Sequence, residues 1–207
     1  TNALQAQYSE TFDVPNKGIL AGPCTTNDPA TCSSKDFAGV DWTMGGNLSG
    51  FASGGYFRTA GGKLEAADVD EETCWLSPVL NMTGTASFSM DLTWLSFDDY
   101  NLSADGSKDY IDVSYRIDGG SWVTLPNEVG GGPRTISYIG SGENNGSISG
   151  LGVSGLTGST LQIRVCVDVN SAAEITTIDN VSAVNASTGT SGPVCDLVLN
   201  NTTKTDE

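Results

Sequence analysis

The chain has 207 residues, with 9 lysines and arginines against 25 aspartates and glutamates, a formal net charge of −16 and no histidine. This negative charge repels nucleic-acid phosphate and anionic membranes, so neither is expected as a partner. The lack of histidine excludes Ser-His-Asp and Cys-His catalysis and removes the commonest transition-metal ligand. No stretch approaches the roughly 20 apolar residues of a membrane span, so direct membrane insertion is not expected either.

The first predicted strand lies close to the start of the chain. Residues 1–7 resemble the end of a secretory signal peptide, which predicts an exported protein. The next segment contains Glu10 and Asp13, and the last predicted strand contains Asp179. In many secreted β-sandwiches the first and last strands are neighbours, so these three carboxylates are expected to converge. Oxygen ligands of this kind suit Ca²⁺, which is the predicted cofactor.

The cysteines predict two disulfides. Cys24 and Cys32 flank a turn-rich loop short enough for its two ends to be bridged. Cys166 alternates with polar residues on its strand and should face away from the apolar side, with Cys74 as its leading partner. Cys195 lies beyond the last predicted strand, and its partner is expected past Glu207 in a following domain; otherwise it is a free thiol or forms an intermolecular bridge.

Alternation of apolar and polar residues dominates the chain and predicts an all-β protein. The clearest unit is a hairpin in which residues 109–117 alternate, Asp118-Gly119-Gly120 forms the turn, and residues 121–125 return. Further strands are predicted over residues 55–58, 75–80, 86–95, 135–139, 161–167 and 175–181. Such strands, joined by Gly-rich turns with no helix between them, predict an antiparallel two-sheet β-sandwich of the jelly-roll type.

The composition divides the chain into four segments. Residues 1–7 are a signal-peptide remnant or a disordered N-terminus, and residues 8–185 form the predicted sandwich. Residues 186–193 are small and polar and end in Pro193, which is typical of a linker. Residues 194–207 resemble the first strand of a following domain, or a tail.

Two acidic runs are candidates for further cation binding. The run at residues 97–109 contains the carboxylates of Asp98, Asp99, Asp105 and Asp109 and could hold a second cation, although it lacks the ligand spacing of an EF-hand. A solvated acidic loop is the alternative. The run at residues 65–72 is predicted to be a solvated loop.

Aromatic side chains are candidates for sugar binding, because the apolar C–H faces of pyranose rings stack on flat aromatic rings. The candidates are Trp42, Tyr56, Tyr100, Trp122 and Tyr138. For each of them, packing in the core or across a hairpin is the alternative. Trp75 and Trp94 are predicted to lie in the core.

Several short phrases of the sequence together resemble a known family. They are Glu10-Thr11-Phe12, Gly54-Gly55-Tyr56-Phe57-Arg58, Trp75-Leu76-Ser77-Pro78-Val79-Leu80, Asp109-Tyr110-Ile111, Ile117-Asp118-Gly119-Gly120, Leu161-Gln162-Ile163-Arg164-Val165 and Ile178-Asp179-Asn180-Val181. In this order they resemble the MAM-like jelly-roll domains of secreted Bacteroidota proteins, a group that includes cleaved-adhesin domains. The resemblance implies a calcium-bearing β-sandwich, with Glu10 and Asp179 as metal ligands, that accompanies other domains in a large exported protein.

The leading functional hypothesis is a non-catalytic, extracellular or cell-surface module of a larger protein. Its expected partners are a glycan, a cell-surface or matrix protein, and other domains of the same polypeptide. A polysaccharide-active lyase or hydrolase on the same fold is one alternative, since paired carboxylates can hydrolyse glycosides. A structural spacer that calcium only rigidifies is another. No catalytic residue is assigned.

Overall fold

A computed structural model of the chain describes residues 7–13, 19–25, 31–36, 41–46, 48, 51–97, 109–125 and 145–188. The regular elements of this part are twelve β-strands, and every pairing between them is antiparallel. The strands are β1 (Gln7–Glu10), β2 (Ile19–Cys24), β3 (Cys32–Asp36), β4 (Thr43–Gly46), β5 (Phe51–Ala60), β6 (Lys63–Leu76), β7 (Leu80–Leu95), β8 (Tyr110–Ile117), β9 (Val123–Thr124), β10 (Gly146–Leu156), β11 (Thr160–Val169) and β12 (Ile175–Ser187). None of the described residues form a helix long and apolar enough to span a membrane.

The long strand β6 belongs to two sheets. Its residues 64–67 pair with β5 and β12, whereas residues 73–76 pair with β4 and β11. Sheet I therefore has the order β3-β2-β5-β6-β12-β7-β10, with β1 paired to β12, and sheet II has the order β4-β6-β11-β8-β9. The first two residues of β7 also pair with β11, so this strand too passes from sheet II to sheet I.

The core lies between the two sheets. On β7, Phe88 and Leu92 are buried while the alternating residues are half-buried or exposed, and β11 shows the same alternation except at Cys166, which is buried as well. The rings of Phe88 in sheet I and Tyr115 in sheet II meet edge to face, with their centroids 5.9 Å apart. Face-to-face packing of this kind is the geometry of a β-sandwich, so the predicted fold class is confirmed.

The first and last strands of the sandwich are neighbours, as predicted. β1 pairs with β12, which places Tyr8 opposite Ala183 and Glu10 opposite Val181. The buried Tyr8 hydroxyl accepts a hydrogen bond of 2.9 Å from the Trp42 indole N–H. This contact ties the first strand to the core and closes the jelly roll.

Both predicted disulfides are confirmed. Cys24 is bonded to Cys32, bridging β2 and β3 in sheet I, and Cys74 is bonded to Cys166, bridging β6 and β11 in sheet II. Cys166 lies directly opposite Cys74 and faces away from the apolar side of its strand. Cys195 lies outside the described residues.

The predicted hairpin is confirmed as well. Asp118 and Gly119 have positive φ angles of 51° and 68°, and the Gly120 amide donates a 2.9 Å hydrogen bond to the Ile117 carbonyl. Val123 and Thr124 then pair back onto β8.

The acidic run at residues 65–72 was predicted as a loop, and this prediction is wrong. These residues lie within β6, where Leu64, Ala66 and Val69 are buried against the core. Burial of the alternate apolar side chains outweighs the low strand propensity of the acidic residues between them.

Other boundaries differ from those predicted. Residues 75–80 were predicted as one strand, but β6 ends at Leu76 and β7 begins at Leu80. The Gly-rich strand β10 was not predicted, and β12 extends to Ser187, two residues into the predicted linker. The predicted strand at residues 135–139 lies outside the described residues.

Candidate functional site

The outer face of sheet II holds a group of polar side chains on two neighbouring strands. Because Val113 and Val165 point into the core, alternation turns Ser114 and Arg116 of β8 outward. The register places Gln162 of β11 opposite Arg116, and Arg164 opposite Ser114. The two arginines are therefore diagonal neighbours on one surface.

The partly buried Trp122 lies against both arginines. It precedes β9, in which Thr124 lies opposite Ser114, so alternation places Trp122 on the same outer face. The guanidinium carbons of Arg116 and Arg164 are each 4.6 Å from the centre of its ring. Both distances are within the range of a cation–π interaction.

Hydrogen bonds fix these side chains. Arg116 donates from Nε and Nη2 to the Gln162 Oε1, at 2.9 and 2.6 Å, and Gln162 Nε2 donates to the Ser77 carbonyl at 2.9 Å. Arg164 Nε donates to Ser114 Oγ at 3.0 Å, and its Nη2 lies 3.8 Å from Asp112 Oδ2. The Trp122 face, defined as Trp122, Arg116, Arg164, Gln162, Ser114 and Asp112, is thus ordered by the protein itself.

The outer face of sheet I contains a shallow groove lined mainly by polar residues. Its volume is about 290 Å³. The groove is lined by Lys63, Asp91, Thr93, Ser147, Ser149, Thr177, Asp179 and Asn180. A second groove of about 310 Å³, lined by serines, glycines and valines, includes Ser89, Gly152 and Ser182.

Asp91 on β7 holds irregularities in both neighbouring strands. Its Oδ1 accepts hydrogen bonds from Ser149 Oγ and the Gly150 amide at 2.9 and 2.8 Å, and its Oδ2 accepts from Asn180 Nδ2 at 2.9 Å. Gly150 and Asn180 have positive φ angles where the registers of β10 and β12 shift. These hydrogen bonds, the Asn180 one foremost, lower the pKa of Asp91. The carboxylate oxygens of Asp91 are therefore occupied by hydrogen bonds that stabilise the fold.

The predicted calcium ligands lie near the junction of β1 and β12. Glu10 lies opposite Val181, two residues from Asp179. Glu10 Oε1 accepts the Phe12 amide at 2.7 Å, and Asp179 Oδ1 accepts the Asn180 amide at 2.6 Å. Asp13 accepts the Thr11 hydroxyl at 2.6 Å and lies beside Gly62, in the turn between β5 and β6.

The donor chemistry of these carboxylates fits Ca²⁺, because only one oxygen of Glu10 and one of Asp179 has a hydrogen-bond donor among the described residues. The three carboxylates do not form a tight cluster on their own. Within the described residues, the one group of three candidate ligands within 4.8 Å of one another is Glu72, Cys74 and Cys166. Its two sulfurs form a disulfide and offer no thiolate.

The second predicted cation site is described at one position. Asp98, Asp99 and Asp105 lie outside the described residues, and Asp109 is buried. Asp109 is therefore not part of a solvated surface. Cation binding by these four residues stays a prediction.

The predicted sugar-binding aromatics separate into three groups. Trp42 is fully buried and packs edge to face on Phe12, so its prediction as a ligand platform is wrong, because no ring face reaches solvent. Tyr56 is partly buried beneath Arg58 on sheet I. Tyr100 and Tyr138 lie outside the described residues, which leaves Trp122 as a candidate in an ordered polar setting.

The sequence predictions did not include the arginines of the Trp122 face. Arg116 was within reach of sequence reasoning, since the hairpin register places it beside Trp122. Arg164 and Gln162 were not, because they arrive through the pairing of β8 with β11, about 45 residues further along the chain.

No protein-family model matches the chain, and no curated protein matches it in sequence. Solved structures similar to it include the K1 cleaved adhesin domain of Lys-gingipain from Porphyromonas gingivalis, with a TM-score of 0.46 and 12% identity over 86% of this chain and 97% of that one. TmCBM61 in complex with β-1,4-galactotriose has a TM-score of 0.38 and 12% identity, covering 70% and 88%. A carbohydrate binding module of family 29 has a TM-score of 0.39 and 7% identity, covering 88% and 92%. Cleaved adhesin domains, which the sequence resembles, are thus among the structural neighbours.

Proposed function

We propose that this chain is an exported, calcium-stabilised, non-catalytic module of a larger cell-surface protein, and that it binds a glycan on the Trp122 face. The observation that supports this proposal is the ordered cluster of one partly exposed indole ring and hydrogen-bonding side chains on one sheet surface. A sugar offers an apolar C–H face to the ring and hydroxyls to the neighbouring amide and guanidinium groups. Because the side chains are already fixed, binding costs little of their rotamer entropy.

Calcium is proposed at Glu10 and Asp179, with Asp13 as a third ligand. The pairing of β1 with β12 supports this assignment, because it brings the first two carboxylates onto adjacent strands. A bound cation would offset the repulsion between carboxylates in a chain of net charge −16. Its role in the proposal is to hold the ends of the sandwich together.

The proposed location is extracellular or at the cell surface. The two disulfides support it, because such bonds persist in oxidising compartments. Partners of the module would then be surface or matrix glycans and the other domains of the same polypeptide.

Affinity electrophoresis through gels that contain single polysaccharides tests the glycan proposal. We expect at least one neutral or acidic polysaccharide to retard the chain, and Trp122→Ala to weaken the binding at least about tenfold. Tyr56→Ala is the matched control, since it removes an aromatic ring beneath an arginine on sheet I. Equal retardation of the wild type and Trp122→Ala, or no retardation by any polysaccharide, would contradict the proposed site.

A further inference from the structure

We propose that the Trp122 face selects anionic sugars, through the carboxylate of a uronic acid or a sulfate ester, with Arg116 and Arg164 as the residues that determine specificity. This inference rests on the proposed function, because it names the ligand class of the same site. It follows from how far the charge of each arginine is neutralised by nearby carboxylates.

The arginines of the two sheets differ in their neutralisation. On sheet I, Arg58 lies over Tyr56 and donates to Glu65 Oε1 from Nε and Nη2, at 3.1 and 2.6 Å. On sheet II, Arg116 donates to the neutral amide oxygen of Gln162, and no carboxylate among the described residues lies within ion-pair distance of it. The carboxylate near Arg164 is that of Asp112, whose Oδ2 lies 3.8 Å from Arg164 Nη2. Counted over the described residues, the Trp122 face therefore keeps an excess of positive charge.

This charge is unusual for the chain. Nine basic residues oppose 25 acidic ones, yet two of the nine lie against a single ring. Two adjacent guanidinium groups repel each other, and the single carboxylate of Asp112, 3.8 Å from Arg164, offsets this only in part. An anion bound between them would complete the neutralisation.

Free donors remain for such an anion. Arg116 uses Nε and Nη2 for Gln162, and Arg164 uses Nε for Ser114, so Nη1 of each has no acceptor among the described residues. The planar guanidinium matches the oxygens of a carboxylate or a sulfate better than an ammonium does. The Trp122 ring beside them would receive the C–H face of the sugar that bears the anion.

Two further acidic residues of sheet II, Asp168 and Asp118, do not cancel the positive charge of the Trp122 face. Asp168 lies opposite Tyr110, six residues along β8 from Arg116, which is about 20 Å in an extended strand. The Asp118 carboxylate at the hairpin turn already accepts the Ser159 and Thr160 amides at 2.8 and 2.9 Å. At that distance and with that engagement, neither competes with the anion for the arginines.

The experiment measures binding to matched pairs of polysaccharides by isothermal titration. Pectate is compared with its methyl ester, and carrageenan with its desulfated form, so that only the charge differs and the two anion sources are separated. Each titration is run both with Ca²⁺ and with EDTA, because calcium stabilises the proposed module and can also bridge the acidic protein to a polyanion. Arg116→Gln and Arg164→Gln are the test variants and Arg58→Gln is the control, with circular dichroism as the check on folding.

We expect the wild type to bind one anionic form at least about tenfold more tightly than its neutral partner, and to bind it less tightly in 0.5 M salt. Each test variant should lose about tenfold on the anionic form and little on the neutral one, while Arg58→Gln matches the wild type. Equal, Trp122-dependent binding of charged and neutral forms would overturn the inference and leave the proposed function standing. Absence of binding to every polysaccharide would overturn the proposed function itself. Anion binding that Arg58→Gln abolishes and the test variants do not would also overturn the inference.

Discussion

Sheet I and sheet II each place an arginine against an aromatic ring on the outer face, and they differ in what surrounds the pair. On sheet I the Arg58 charge is neutralised by Glu65 at 2.6 Å, and the Asp91 carboxylate accepts hydrogen bonds from three protein donors. On sheet II, Arg116 bonds a neutral amide, and Arg164 has its carboxylate at 3.8 Å. A surface whose charges are satisfied internally stabilises the fold, whereas one with residual charge beside an aromatic ring is suited to a ligand.

The largest expected difference between the sheets concerns their disulfides. Cys74–Cys166 closes a loop with a sequence separation of 92 residues, and Cys24–Cys32 one of 8. In the chain-entropy model, replacing the pair on sheet II by alanines should cost about 4.6 kcal/mol of unfolding free energy, against about 2.5 kcal/mol for the pair on sheet I. Urea unfolding of the two double variants measures this.

Thiol titration is the control for that measurement. The unfolded, unreduced wild type should show one thiol, that of Cys195, if the chain is monomeric. A titre near five would contradict both bridges, and equal costs for the two double variants would contradict the difference between the sheets.

Calcium removal is expected to have the next largest effect, where β1 pairs with β12 in sheet I. A cation that binds only the folded state stabilises by about 2.7 kcal/mol when its free concentration is about 100 times Kd. Chelation should then lower the melting temperature by roughly 5–10 °C for a domain of this size. Glu10→Gln and Asp179→Asn should remove most of this sensitivity.

Asp91→Asn is the matched control for the calcium experiment, because Asp91 lines the same groove as Asp179 but has its oxygens filled. It should retain the response to chelation. A verified metal-free sample that melts like the calcium-loaded one would refute the calcium proposal. Loss of the response in Asp91→Asn alone would assign the calcium site to Asp91 instead of Glu10 and Asp179.

A smaller effect is expected from Asp91 as a holder of the bulges in sheet I. Asp91→Asn removes the charge and leaves one acceptor oxygen for the three donors at this partly exposed position, and should cost about 1 kcal/mol near neutral pH. The folded pKa is lowered, so this stability is present above the ordinary carboxyl range and is lost as the pH falls through the folded pKa. Chemical unfolding at pH 7 and below pH 3 should therefore show the gap between wild type and variant closing in acid, and a constant gap would contradict the mechanism.

The smallest effect is expected at Tyr56. Burial first, and then its hydrogen bond to Glu65, raises the pKa of Tyr56 to about 12. Glu65→Gln removes the negative charge and should bring the pKa of this phenol back toward its usual range near 10. Absorbance titration of tyrosinate, with Tyr56→Phe to assign the signal, follows the shift, and an unchanged titration would contradict the role of Glu65.

Local features of the sequence were sufficient for part of this structure. The hairpin from β8 to β9 depends on alternation and on Asp118-Gly119, and it alone places Arg116 beside Trp122. The Cys24–Cys32 bridge follows from a short loop. In β6, by contrast, the acidic residues suggested a loop, and only the core packed against Leu64 and Ala66 makes this segment a strand.

By itself, the sequence determined the all-β class, the central hairpin, both disulfide pairs and the adjacency of the first and last strands. The class, the hairpin and the Cys24–Cys32 pair depend on alternation, turn residues and spacing within one segment. The Cys74–Cys166 pair depends on the outward orientation of Cys166 on its strand, and the strand adjacency on the way secreted β-sandwiches commonly close. The tertiary structure alone decided that Arg164 meets Trp122 and that Asn180 meets Asp91. Such contacts require the registers of strands that are distant in sequence, and a slip of one residue would turn each side chain to the opposite face of its sheet.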